Sequence, residues 1–155
     1  MEIRDFGGFV VRAAGVADRA ALVGVDSVAA AGDEGRRASI GRWCGEGSAV
    51  VVEDSSGPLG YGVLEYTFFE QGFVTLVMVA PRARGRGVGA RVLAAVEEAC
   101  TAPKLFTSTN VSNQAMQRLL GRAGWRAVGM VDGLDDGDPE LFFLCPRSGG
   151  GGRAG

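Results

Sequence analysis

The stretch Val77-Met78-Val79-Ala80-Pro81-Arg82-Ala83-Arg84-Gly85-Arg86-Gly87-Val88-Gly89-Ala90 decides how this chain folds. It opens as an apolar strand and is stopped by Pro81, whose missing N–H cannot serve a central ladder. It then passes through three glycines into a helical pattern. Val88, Val92, Val96 and Ala99 recur at helical spacing, with Ala95 beside them and Glu97 and Glu98 outside the stripe. Glycines remove side chains that would keep a bulky anion from the backbone, and the first N–H groups of a helix have no internal partners. Such groups can donate to phosphate oxygens, aided by the positive end of the helix dipole. Arg82, Arg84, Arg86 and Arg91 add a local positive field. A dipole is worth only about 0.3–1 kcal/mol at an exposed site, so several donors must act together.

Upstream of this stretch, residues 9–12 read as a short strand and residues 18–30 as a helix. A second helix begins near Asp33 and brings Ile40 and Trp43 onto one face. Residues 49–53 read as a strand, Asp54-Ser55-Ser56-Gly57-Pro58 as a turn, and residues 59–68 as a longer strand. Glu70-Gln71-Gly72 turns the chain into residues 73–79, which makes an antiparallel hairpin the economical pairing. Downstream, residues 104–107 follow the breaker Pro103 as a strand. Ser112 is the expected N-cap of a helix that buries Met116, Leu119, Leu120 and Ala123 and ends at Gly124. Residues 125–131 and 140–144 read as strands flanking an acidic turn. The expectation is one mixed α/β domain, in the α+β sense, over residues 1–147, with a largely antiparallel sheet flanked by helices and a disordered glycine-rich tail at 148–155.

Composition narrows the function. Hydrophobic residues make up 46% of the 155 and charged residues 22%, enough to bury a core. A formal charge of -2 argues against a protein that coats nucleic acid. The chain has no histidine, which removes Ser-His-Asp and Cys-His machinery and His-ligated zinc. Cys44, Cys100 and Cys145 are widely spaced, without a CxxC pair, so no metal is expected and reduced thiols in a cytoplasm are. The N-terminus lacks a signal peptide's apolar core, and no run is long enough to span a membrane.

Three phosphate-binding readings compete for the loop. A P-loop requires GxxxxGK[ST], and no lysine follows Gly85 at that spacing. A dinucleotide fingerprint is matched formally by Gly85, Gly87 and Ala90, but the next strand, Phe106-Thr107-Ser108-Thr109-Asn110, lacks the acid for the ribose hydroxyls. In the third reading, Arg84-x-x-Gly87-x-Gly89 after a Val-x-Pro strand end resembles the acetyl-CoA signature of the GNAT superfamily of N-acetyltransferases. Downstream, the run from Asn113 to Trp125 resembles that family's NxxAxxLYxxxGF segment, with Met116, Leu120 and Trp125 in place of the usual Ala, Tyr and Phe. The resemblance covers residues 9–146.

That resemblance implies a GNAT-like fold with splayed central strands and an acetyl-CoA-dependent N-acetyltransferase acting on a primary amine of a small molecule or peptide. A non-catalytic acyl-CoA-binding sensor on the same fold is the alternative. Family members often form homodimers. Backbone groups at Val77, Met78 and Val79 would pair with the pantetheine arm, the Val79 N–H stabilising the thioester oxyanion. Arg84, Gly85, Arg86, Gly87, Val88, Gly89 and Ala90 would surround the pyrophosphate, and Asn113 matches an asparagine that often contacts the cofactor. Against this reading, Asn113 is also a natural helix-start cap.

The chemistry needs a neutral amine, and deprotonating an alkyl ammonium at pH 7 costs roughly 4–5 kcal/mol. Here the chain departs from the family. Positions that carry a glutamate base, a second acid and a thiolate-protonating tyrosine in various members hold Phe73, Ser108 and Leu120. Glu65 and Glu70 are the remaining candidate bases, while Ser108 or Tyr66 could supply a proton. Strand alternation puts Glu65 on the face shared by Tyr61 and Val63. In the acidic turn, Asp135, Asp136 and Asp138 read either as solvated turn formers or as a funnel for a cationic acceptor.

Overall fold

The computed structural model describes residues 3–147, and the tail expected at 148–155 lies outside the described residues. In chain order the elements are β1 (Arg4–Phe6), β2 (Phe9–Ala13), a 3₁₀ turn (Val16–Asp18), α1 (Arg19–Val25), α2 (Ser27–Ala30), α3 (Glu34–Glu46), β3 (Ala49–Asp54), β4 (Gly57–Phe68) and β5 (Gln71–Val79). A second 3₁₀ turn (Pro81–Ala83) leads to α4 (Val88–Ala99), β6 (Leu105–Asn110), α5 (Gln114–Arg122), β7 (Arg126–Val131) and β8 (Glu140–Leu144). This is the expected mixed α+β chain. It divides into two units, residues 3–65 with 75–99 and residues 66–74 with 100–147, so β4 and β5 pass through both.

In the first unit the strand order is β1-β2-β3-β4-β5, and β1/β2, β2/β3 and β3/β4 pair antiparallel. β3 reads Ala-Val-Val-Val and buries all four of these residues, the pattern of a strand covered on both faces. On β4, alternation sends Tyr61, Val63 and Glu65 to one face and Gly60, Gly62 and Leu64 to the other. The two glycines leave a groove for α4. A Cβ on Gly60 would come within 2.8 Å of Val88 Cγ1, and one on Gly62 within 2.7 Å of Val92 Cγ1 and 2.8 Å of Val96 Cγ2. The expected stripe Val88, Val92 and Val96 is buried in this way, joined by Leu93, which the helical reading had not included.

In the second unit the order is β5-β6-β8-β7, with β5/β6 parallel and the other pairs antiparallel. The β5–β6 ladder holds three residue pairs, Gly72↔Leu105, Phe73↔Phe106 and Val74↔Thr107. β6 alternates in burial, with Leu105, Thr107 and Thr109 inside. β7 is exposed along its whole length.

Several local expectations change. The helix expected over residues 18–30 is broken at Asp26, whose extended backbone ends α1 and whose carboxylate accepts from the N–H groups of Val28 and Ala29 to cap α2. The hairpin turns at Phe69 and Glu70 rather than at Glu70-Gln71-Gly72. Both residues have left-handed φ, 52° and 65°, which a two-residue turn between twisted strands requires. The N-cap of α5 is Asn113, not Ser112, because the Asn113 side chain accepts from Met116 N at 3.1 Å while Ser112 bonds to Asp138. Of the stripe expected on α5, Leu120 is buried, Met116 and Leu119 are half-buried and Ala123 is exposed.

Candidate functional site

The glycine loop lies wholly in the first unit. Pro81–Ala83 forms one tight turn, closed by Ala83 N to Ala80 O at 2.9 Å. Gly85 and Gly87 then take φ of 78° and 77°, and nothing lies within 4 Å of where a Cβ on either would stand. These are left-handed positions over open space, where a side chain would be strained and would occupy the room an anion needs. The helix α4 follows at once. Arg91 N reaches back to Gly87 O at 3.2 Å, so the N–H groups of Val88, Gly89 and Ala90 open the helix ahead of its first i→i−4 bond.

The four arginines do not contribute equally. Arg82 donates to Ser56 Oγ at 2.9 Å and to Pro58 O at 3.0 Å. Arg86 donates to Asp54 Oδ2 at 3.2 Å and lies over the Phe9 ring, and Arg91 lies over the Phe6 ring at 4.2 Å. Two bonds from Ser56, then Arg86, hold the Asp54 carboxyl down at about 2. Among the described residues Arg84 is therefore the loop cation without a protein partner, exposed beside Gly85.

β5 changes parity on its way to the loop. In its first half Gly72 N donates to Lys104 O and Val74 O accepts from Thr107 Oγ1, so the even-numbered residues bond toward β6. In its second half Ala80 N donates to Leu59 O at 2.8 Å, and the Met78 carbonyl lies 2.9 Å from where a Gly60 Cβ would stand. There the even positions bond toward β4. Val77 and Val79 therefore direct their N–H and C=O away from β4, whereas Met78 directs its own toward β4.

The three candidate catalytic residues are placed differently. Glu65 lies on β4 with its side chain 19% exposed, accepts from Thr75 Oγ1 at 2.7 Å and faces Arg42 Nη1 at 3.5 Å. Arg42, on α3, is itself 51% exposed and lies 3.8 Å from Glu46. Glu70 is at the exposed hairpin tip. Ser108 is half-buried on β6 opposite Phe142. Tyr66 accepts from Thr101 N at 3.1 Å. Asn113 is the α5 cap described above. In the acidic turn, Asp135 accepts from Asn110 Nδ2 at 2.8 Å, Asp138 accepts from Ser112 N and Oγ at 3.0 and 2.5 Å, and Asp136 is exposed.

Sequence reasoning missed Arg42 and Thr75, which α3 and β5 bring to Glu65. It also missed a second, buried carboxylate. Asp26 Oδ2 accepts from Tyr61 Oη at 2.5 Å and Arg36 Nη1 at 2.8 Å. Burial by itself would raise the Asp26 carboxyl, but the bonds from Tyr61, Arg36 and Ala29 N outweigh it and hold the group below its usual value. The Tyr61 hydroxyl is pushed far above its own, by burial first and then by Asp26. An aspartate within an apolar run is the available signal, and by periodicity alone it belongs to one longer helix.

Residues 25–125 match the sequence profile of the Acetyltransferase (GNAT) family. An acetyltransferase of the GNAT family from Bacillus cereus is 31% identical, with a TM-score of 0.82 over 89% of this chain and 96% of that one. A diaminobutyrate acetyltransferase from Paenibacillus lautus, solved with L-2,4-diaminobutyric acid and coenzyme A, is 21% identical, with a TM-score of 0.70 over 89% and 95%. A ribosomal-protein-alanine N-acetyltransferase from Brucella melitensis is 23% identical, with a TM-score of 0.70 over 86% and 97%. No curated protein matches the sequence.

Proposed function

From the premise that this chain belongs to the acetyltransferase (GNAT) family, we propose how its own residues carry out acetyl transfer from acetyl-CoA to a primary amine. The N–H groups of residues 85–90, with Arg84, hold the pyrophosphate of the acyl donor. Two observations support this: the room over Gly85 and Gly87, and the open first turn of α4. The backbone groups of Val77 and Val79 receive the amides of the pantetheine arm, and the Val79 N–H donates to the thioester oxygen as negative charge develops there. Met78, whose carbonyl is directed at β4, shapes the wall between them. Asn113 serves first as a helix cap and offers its side-chain amide second.

Glu65 is the general base. Of the candidate carboxylates it is the one that is half-buried, oriented by a hydroxyl and placed on a rigid strand. It takes a proton from the acceptor ammonium, the nitrogen bonds to the acyl carbon, and the carbon–sulfur bond breaks. The acceptor nitrogen loses two protons in all, one to the departing thiolate and one through Glu65 to solvent. Asp136, exposed and without a side-chain partner among the described residues, offers its charge to a cationic acceptor. The acceptor is a small-molecule or peptide amine. A cytoplasmic setting suits three buried, widely spaced cysteines, and no helix among the described residues is long and apolar enough to cross a membrane.

The unpaired donors at the Gly87–Val88 junction are the observation on which this reading rests. Replacing Gly87 by Val should weaken coenzyme A binding by about tenfold or more in calorimetric titration, with a cooperative thermal melt showing that the variant still folds. Undiminished binding by the folded variant overturns the assignment.

A further inference from the structure

The Glu65 site carries a cation that acetyl transfer does not require. Arg42 Nη1 lies 3.5 Å from Glu65 and 3.8 Å from Glu46, both beyond ordinary hydrogen-bond length, and its side chain is half exposed. Exposed pairs of this quality contribute little to stability, so Arg42 can be separated from Glu65 at small cost. Glu65 itself is anchored by Thr75 and stays in place. When an acceptor ammonium occupies Glu65, the guanidinium keeps Glu46 at 3.8 Å and the Trp43 ring at 5.8 Å, neither of which uses its paired N–H donors at hydrogen-bond length. Its planar fork is then free for a carboxylate, the anion it matches with two parallel bonds.

We infer that the acceptor is a zwitterion, an amine with a carboxylate on the same or the adjacent carbon, whose ammonium meets Glu65 while its carboxylate meets Arg42. This rests on the proposed role of Glu65 and adds the substrate class. The exchange is group for group. Before binding, Arg42 and Glu65 face each other, and afterwards each faces the opposite charge of the same small molecule. A bare amine satisfies Glu65 and leaves Arg42 with only the distant Glu46 and the Trp43 ring. A carboxamide presents one carbonyl where the guanidinium can use two anionic oxygens.

The test uses the full chain, acetyl-CoA and a thiol-release assay, with the twenty common amino acids and β-alanine, each beside its carboxamide. At least one free amino acid should exceed its amide in kcat/KM by about tenfold or more, the difference lying in KM. Arg42→Met should collapse that ratio toward one, and Arg42→Lys, which keeps the charge but loses the fork, should retain part of it. Three results overturn the inference: amides used as well as acids, a preference that survives Arg42→Met, or thiol release with simple amines but with no free amino acid. In the last case acetyl transfer stands and only the substrate class falls. If coenzyme A binds but no amine of any class releases thiol, the catalytic reading fails and takes this inference with it.

Discussion

Asp26 and Glu65 are built from the same parts, a carboxylate with one hydroxyl donor and one arginine, and both meet the same face of β4 through positions four residues apart. At Asp26 the donors close in. Tyr61 at 2.5 Å, Arg36 at 2.8 Å and two backbone N–H groups surround a side chain that is 0% exposed. At Glu65 the hydroxyl is close but the arginine stands off at 3.5 Å, and no backbone donor from the described residues joins. The first arrangement leaves no site for another molecule. The second holds a carboxylate in position while leaving its charge to be answered. The difference teaches that a buried charge completed by its own fold is structural, whereas one left partly unanswered is available for chemistry.

The sharpest way to break this contrast is to remove each carboxylate. Asp26→Ala should destabilise the fold by about 3–5 kcal/mol in urea unfolding, because Arg36 is left unpaired beside the core. Glu65→Gln should change stability by less than about 1 kcal/mol yet lower kcat by roughly 10²-fold or more in the thiol-release assay. Comparable stability losses at the two sites would dissolve the distinction. The hydroxyls sharpen it on a smaller scale. Tyr61→Phe should cost about 1.5–3 kcal/mol, since it removes a hydrogen bond to a buried charge, whereas Thr75→Val should stay within about 0.5 kcal/mol.

The smallest effect is one of pH. Asp26 has its folded-state value held below the ordinary carboxylate value of about 3.9, so its contribution is fully present above that value and is lost as pH falls through the lower, folded one. The stability gap between the parent chain and Asp26→Ala should therefore be constant from pH 7 to about pH 5 and should narrow below about pH 4. A gap that widens in acid would mean that Asp26 is protonated in the folded state.

How much of this was legible beforehand varied with the range of the interaction. The elements set by local periodicity or by a strong breaker were readable, among them the strand stopped at Pro81, the Val88–Val92–Val96 stripe and the final strand at Glu140–Leu144. The glycine loop was readable for the same reason, since left-handed φ and open space are demands on the residues themselves. Asp26 is hidden in the sequence because its capping role within the chain looks like one polar position on a helix. The turn at Phe69 and Glu70 is hidden because nothing in their side chains favours left-handed φ, and the two strands impose it. Gly60 and Gly62 gave no sign of the groove they form, because the valines that fill it lie some thirty residues downstream.

Residue order alone therefore established the mixed architecture, the family resemblance and the glycine loop, all of which depend on neighbours within one or two turns of chain. Folding in three dimensions gave Glu65 its companions Arg42 and Thr75, left Glu70 at an exposed hairpin tip, and turned Val77 and Val79 rather than Met78 away from β4. The reason is physical. A carboxylate's reactivity and a strand's free edge are set by groups that approach through space, and their separation along the chain carries no trace of that approach.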